Sequence, residues 1–133
     1  MFRKDYDCDY DNKEIIEKIK DYLYAREDIA IAYLFGSFDT DDFNSSSDID
    51  IAVVPFGDLT YSECLQVNSE LEDLLNIPID LNNMNSLPEY IQIQILIANR
   101  QLFCKDDLLE EKLLDTVNFW IKTEFPLWKK LMM

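Results

Sequence analysis

The chain has 133 residues, 48% of them hydrophobic, which is enough for one buried core and too few for two ordinary domains. Its formal net charge of −15, from 12 basic and 27 acidic residues, repels phosphate backbones and argues against nucleic acid as a direct partner. No histidine is present, which excludes Ser-His and Cys-His nucleophile pairs and most transition-metal sites. Chemistry must therefore come from carboxylates, hydroxyls, thiols, amines or a bound metal.

A single domain over 1–133 is expected, with a core over about 12–107 and a C-terminal helix over about 107–133. Residues 12–26 place Ile15, Ile16, Ile19, Tyr22 and Leu23 at helical spacing among Lys and Glu. The apolar run from Ile29 to Phe35 is short and continuous, as a strand buried on both faces is, and it stops at Gly36. After a polar loop, residues 48–54 alternate Asp and Ile before turning fully apolar, which predicts a second strand.

Thr60 and Glu63 have capping-box spacing, and Cys64, Val67, Leu71, Leu74 and Leu75 follow as a helical stripe, so the pattern predicts a helix over 61–75. A third strand is expected over 77–82. Ser86-Leu87-Pro88-Glu89 offers a second capping box, although Ile91, Ile93, Ile95 and Ile97 alternate with strand period. The box and the early proline favour a helix there, followed by a short strand over 101–104. From Asp107 onward, Leu109, Leu113, Val117, Trp120 and Ile121 form one stripe, and Pro126 should kink or end the helix. The apolar tail with Trp128, Leu131, Met132 and Met133 suits core packing, or alternatively a partner-facing patch.

Cys8, Cys64 and Cys104 are widely spaced with no C-x-x-C pair, so neither a disulfide framework nor a zinc site is suggested. No run approaches the length of a membrane span, and a reducing cytoplasm is the expected location.

The chemistry concentrates in Gly36-Ser37, a ten-residue spacer, and Asp48-Ile49-Asp50. Positions two apart on a strand share a face, so Asp48 and Asp50 present neighbouring carboxylates suited to divalent ions about 3.5–4 Å apart. Magnesium in particular prefers a few carboxylates plus substrate phosphates over a full protein cage. Gly36 ends a buried strand, where the lack of a Cβ lets backbone approach a phosphate and the Ser37 hydroxyl can donate to it. Replacing Gly36 by Val is thus expected to harm nucleotide binding more than folding. Asp80, flanked by Ile79 and Leu81 on the third strand, would bring a third carboxylate to the site and could accept the proton of an attacking hydroxyl.

With 17 Asp in the chain, a D-x-D alone says little; the Gly-Ser spacing and the strand context of both halves supply the specificity. An EF-hand loop starting at Asp39 fails on Phe43, on Asn44 where Gly is needed, and on Asp50 where Glu is needed. Between Arg26 and Arg100 there is no Lys or Arg but 14 carboxylates, so metal must offset most of a triphosphate's charge. Arg100, a residue from outside this stretch, or a partner could add the missing cation.

The stretch LFGSFDTDDFNSSSDIDIAVV resembles the signature of the DNA polymerase β-like nucleotidyltransferases. The segment IDLNNMNSLPEYIQIQILIANRQLFCKDD is similar to the closing part of the MNT-domain proteins, the small stand-alone branch of that superfamily. The resemblance runs from about Ile15 to Asp107 and implies an α/β (α+β) fold with a small mixed sheet flanked by helices. It implies that Asp48, Asp50 and Asp80 bind Mg²⁺, that Gly36 and Ser37 hold the triphosphate of ATP, and that an in-line attack on the α-phosphate releases pyrophosphate. It also implies an antitoxin role: transfer of AMP to a tyrosine of a HEPN-domain ribonuclease toxin, with which the chain would form a hetero-oligomer. Relatives often carry small or basic residues just after Gly-Ser, whereas Phe38-Asp39-Thr40-Asp41-Asp42 follows here.

Two other functions use the same features. An aminoglycoside-type small-molecule nucleotidyltransferase would suit the acidic charge but needs a further helical substrate domain, and only about 27 residues follow Asp106. A non-catalytic module could neutralise a basic ribonuclease by masking it, with the motif vestigial.

Overall fold

The computed structural model describes residues 12–36, 38 and 48–123. In chain order the elements are α1 (Asn12–Tyr24), β1 (Ile29–Phe35), β2 (Ile49–Pro55), α2 (Tyr61–Leu75), β3 (Ile79–Asn83), a 3₁₀ turn (Met84–Ser86), α3 (Glu89–Ala98), β4 (Gln101–Cys104) and α4 (Asp107–Thr123). The sheet order is β3-β2-β1-β4, with β1 antiparallel to β2 and β4, and β2 parallel to β3. This is the small mixed sheet flanked by helices that the family resemblance implies. The parallel pair requires a crossover, and α2 supplies it.

The continuous apolar character of β1 follows from helices on both faces. Ile29, Ala32 and Leu34 join Ile15, Ile19 and Leu23 of α1 and Val67 and Leu71 of α2 in one core layer. Ala30, Ile31 and Tyr33 join Ile93, Ile95 and Leu96 of α3 and Val117 of α4 in the other. In β2 and β3, Ile49, Ile51, Ile79 and Leu81 point into the α1/α2 layer, so the two-residue period turns Asp50 and Asp80 to the opposite face.

The box at Thr60 forms in full: Glu63 N–H donates to Thr60 Oγ1 at 3.2 Å and Thr60 N–H to Glu63 Oε1 at 2.8 Å. The box expected at Ser86 does not form. Leu87 precedes a proline, which disfavours helical backbone, and it sits extended at φ −82 and ψ 151. Helix α3 therefore starts later, with Pro88 as a cap lacking a side-chain hydrogen bond. The helix is nonetheless the correct reading of the alternating isoleucines, with Ile93, Ile95 and Leu96 buried and Ile97 exposed. Along α4, Leu109, Leu113, Val117 and Trp120 face the core while Ile121 does not; Pro126 and the apolar tail lie outside the described residues. Leu74 is likewise exposed and drops out of the α2 stripe.

Both α2 and α3 close on an asparagine in left-handed conformation, Asn76 at φ 57 and Asn99 at φ 54. Asparagine tolerates this region better than other non-glycine residues, and here it does the work usually given to glycine. Strand β3 begins at Ile79, two residues later than the pattern predicts, because residues 76–78 are spent on this reversal.

As an edge strand, β3 has outward N–H groups that need partners. Asn68 Oδ1 accepts from Leu81 N–H at 2.7 Å and Glu72 Oε2 accepts from Ile79 N–H at 2.9 Å, one helical turn apart on α2. These bonds bracket Asp80 and hold it in register. Asn68→Ala is expected to cost about 1 kcal/mol, lowering the melting temperature by about 3–6 °C. It should also reduce activity about tenfold through misplacement of Asp80, measurable as a fall in kcat.

Candidate active site

Three consecutive segments meet at one end of the sheet. Phe35, the last residue of β1, pairs with Asp50 across the antiparallel ladder, and Asp50 pairs with Asp80 across the parallel one. Directly opposed residues share a face, so the Asp50 and Asp80 side chains are neighbours, close enough for a hydrogen bond between the two carboxyls. Asp48 lies one residue before β2, exposed, and its charge acts on Asp50. The structure thus sets Asp50 and Asp80 side by side, with Asp48 two residues before Asp50 and close enough for its charge to act on it. Ser37 lies outside the described residues.

Asp50 is half-buried, Asp80 exposed. Burial, then the charge and hydrogen bond of Asp80, then the charge of Asp48 push the Asp50 carboxyl up to about 6. Below about pH 6 Asp50 keeps its proton, first because burial disfavours the charged form and then because the neighbouring carboxylates resist joint ionisation. A divalent cation would relieve that same repulsion, and oxygen donors of this kind suit a hard ion. The carboxylate oxygens at this end of the sheet therefore have the donor chemistry that a hard ion such as magnesium requires.

Gly36 follows directly, with φ +77, a region that side chains rarely occupy. A Cβ built there would lie 2.1 Å from Asp50 Oδ2 and 3.0 Å from its Cγ. Glycine is thus favoured by the backbone conformation, and any side chain there would have to displace the Asp50 carboxylate, a contact that the sequence pattern does not disclose. Arg100 enters from the α3–β4 connection, where Nη1 donates to Gly36 O at 3.0 Å and Nη2 donates to Phe38 O. In the sequence Arg100 stands out only as a spare cation; its engagement with Gly36 and Phe38 comes from β4 pairing beside β1.

A second cluster, Cys104, Asp107 and Glu110, brings its ligand atoms within 4.8 Å of one another. Its polar atoms already serve the fold: Gln101 Nε2 donates to Glu110 at 2.6 Å, and Cys104 Sγ donates to Asp106 O at 3.5 Å. Burial pushes the Cys104 thiol up, away from the thiolate a metal would need.

The model of the family described as polymerase beta nucleotidyltransferase matches residues 17–108, more than half of the chain and all of the site above. The chain belongs to that family. Two proteins of Methanocaldococcus jannaschii named as protein adenylyltransferases are 31% and 33% identical over 75 residues, which is 56% of this nucleotidyltransferase and 76% and 87% of their own lengths. The fold is also that of an MNT antitoxin solved with the tri-AMPylated HEPN toxin of Shewanella oneidensis, at TM-score 0.65 and 22% identity over 92% of this chain and 100% of that one. A toxin–antitoxin crystal structure with AMP-PNP superposes at TM-score 0.66, with 22% identity over 89% of this chain and 98% of that one. Among the described residues, no helix is long and apolar enough to cross a membrane.

Proposed function

We propose that this nucleotidyltransferase is an antitoxin that transfers AMP from ATP to a tyrosine of a partner HEPN-domain ribonuclease. The observation that carries the reading is the register of Asp50 with Asp80, with Gly36 pressed onto Asp50. Relatives named as protein adenylyltransferases and the likeness to the AMPylated toxin–antitoxin complex supply the acceptor class. The exposure of Asp48 and Asp80 favours a protein acceptor, since a small molecule would need a concave pocket.

Asp48, Asp50 and Asp80 would hold Mg²⁺, which when bound neutralises phosphate charge. Gly36 and Ser37 would line the triphosphate. The tyrosine oxygen attacks the α-phosphorus, the bond to the β-phosphate oxygen breaks, and pyrophosphate leaves. The hydroxyl proton passes to Asp80, which stands at the exposed edge of the sheet. The product is a phosphodiester between AMP and the tyrosine.

ATP labelled at the α or the γ position, incubated with the chain, Mg²⁺ and a HEPN partner, tests this directly. Only the α label should enter the partner, and chelation of divalent ions should abolish incorporation. Tight, metal-independent binding of the partner without label would establish masking instead. Transfer in the absence of a divalent ion would remove the metal role of the carboxylates.

A further inference from the structure

Two asparagines stand side by side in β3, and the fold treats them differently. Asn83 is 8% exposed, and both ends of its amide serve the fold: Nδ2 donates to Leu59 O at 3.1 Å, and Oδ1 accepts from Asn85 N–H at 3.0 Å. Asn82 is half-buried on the other face of the strand. Among the described residues, the hydrogen bond its side chain makes runs from Nδ2 to Asp80 O at 3.3 Å. Asparagine is a poor strand former, and a β-branched residue would suit such a position better, so the strand itself gains little from Asn82.

The alternation that turns Asp80 to the face of Asp50 turns Asn82 there as well, opposite Ala52 of β2. Asp80 and Asn82 are therefore same-face neighbours about 6–7 Å apart along the strand, and one small group lying between them can meet both side chains. A primary amide has two N–H donors in one plane. One is committed to the Asp80 carbonyl, which holds the amide towards the carboxylate end of β3 and leaves the second for a ligand. Asp50 has a strand on either side, whereas β3 is the edge of the sheet, with α2 packed on its other face. An acceptor as large as a protein has its approach to the carboxylates over this edge, where Asn82 stands.

We propose that Asn82 is a catalytic residue on the acceptor side, its second Nδ2 N–H donating to the tyrosine oxygen whose proton Asp80 accepts. As the oxygen bonds to the α-phosphorus and the bond to the β-phosphate oxygen breaks, the hydroxyl proton passes to Asp80. Pyrophosphate leaves with the electron pair, and the amide keeps both of its hydrogens. A donor aimed at the tyrosine oxygen favours the negative charge that develops there as the proton departs. This rests on the AMP-transfer reading of the site and assigns Asn82 no contact with metal or ATP.

The test compares the full chain with Asn82→Leu, close in shape but without polar atoms, and Asn82→Val, which favours strand backbone. Transfer of α label to the HEPN partner is measured beside calorimetric binding of ATP with Mg²⁺ and of Mn²⁺ alone. In both variants kcat for transfer should fall by about tenfold to a hundredfold, as for the loss of one donor to a developing charge. Binding of ATP and of Mn²⁺ should stay within about twofold, because the carboxylates are untouched. A partner carrying fluorotyrosine at the acceptor position has a more acidic hydroxyl that needs less help, so it should narrow the gap between Asn82→Leu and the unaltered chain.

Unchanged kcat in both variants would overturn the proposal, and so would a gap that fluorotyrosine leaves as it is. Loss of Mn²⁺ binding in parallel with transfer would overturn it too, by marking Asn82 as a support for Asp80. Should Asn82→Leu fail to fold, Asn82→Val carries the test. Absence of transfer by the unaltered chain, with ATP and Mn²⁺ still bound, would instead overturn the AMP-transfer reading, and the Asn82 assignment with it.

Discussion

Asp50→Asn should abolish nucleotidyl transfer, by on the order of a thousandfold, while making the metal-free protein more stable at neutral pH. The first effect follows from the position of Asp50, between Asp80 on the next strand and Gly36 at the turn, with the charge of Asp48 acting on it. The second follows from its titration. Burial and the neighbouring carboxylates raise the Asp50 carboxyl from 3.8 to about 6. Between those two values the folded chain holds a proton that the unfolded chain has released, so stability falls as pH rises through the window. Above the upper value the folded state bears the full cost of the ionised carboxyl.

An amide in its place carries no charge and can donate to Asp80. Without metal at pH 7.5, the variant is expected to melt about 3–6 °C above the wild type, with the gap closing as pH falls towards 4. Added Mg²⁺ should stabilise the wild type and leave the variant unchanged. Melting curves over pH, with and without metal, check all three. A variant less stable than the wild type at pH 7.5 would mean that packing, not charge, governs this position.

Much of this was readable from the chain because periodicity and site chemistry coincide. Strand β1 and helix α2 have the bounds their patterns predict, the first because both its faces are buried, the second because Thr60 and Glu63 mark its start. Alternation put Asp50 and Asp80 on one face of their strands, but only the parallel register made them opposed neighbours. Register depends on α2 returning the chain and on Asn68 and Glu72 binding the β3 edge, which are contacts between residues far apart in sequence. The asparagine caps had a local signal, an Asn directly after each helical stripe, at Asn76 and Asn99. The false box at Ser86 also had one, since the residue before Pro88 resists helical backbone. No pattern could place Arg100 against Gly36, 64 residues away.

Gly36→Ala is expected to reduce transfer by about a hundredfold or more, far beyond its effect on folding. Two costs act at once. Left-handed backbone at φ +77 disfavours alanine by about 1–2 kcal/mol, lowering the melting temperature by several degrees. The added Cβ, 2.1 Å from Asp50 Oδ2 and 3.3 Å from Asp50 Cβ, also displaces the carboxylate from its place beside Asp80. A shift of about 1 Å at a reacting centre suffices for such a loss in rate. The expectation that a side chain at Gly36 would harm nucleotide binding more than folding is therefore kept with a different cause: crowding falls on Asp50 itself, so metal affinity should drop together with ATP affinity. Gly57→Ala is the control, because a Cβ there meets nothing within 4 Å. It should leave both stability and transfer unchanged. If Gly36→Ala kept full Mn²⁺ affinity and lost only ATP, the Asp50 contact would be irrelevant and the glycine would serve phosphate approach alone.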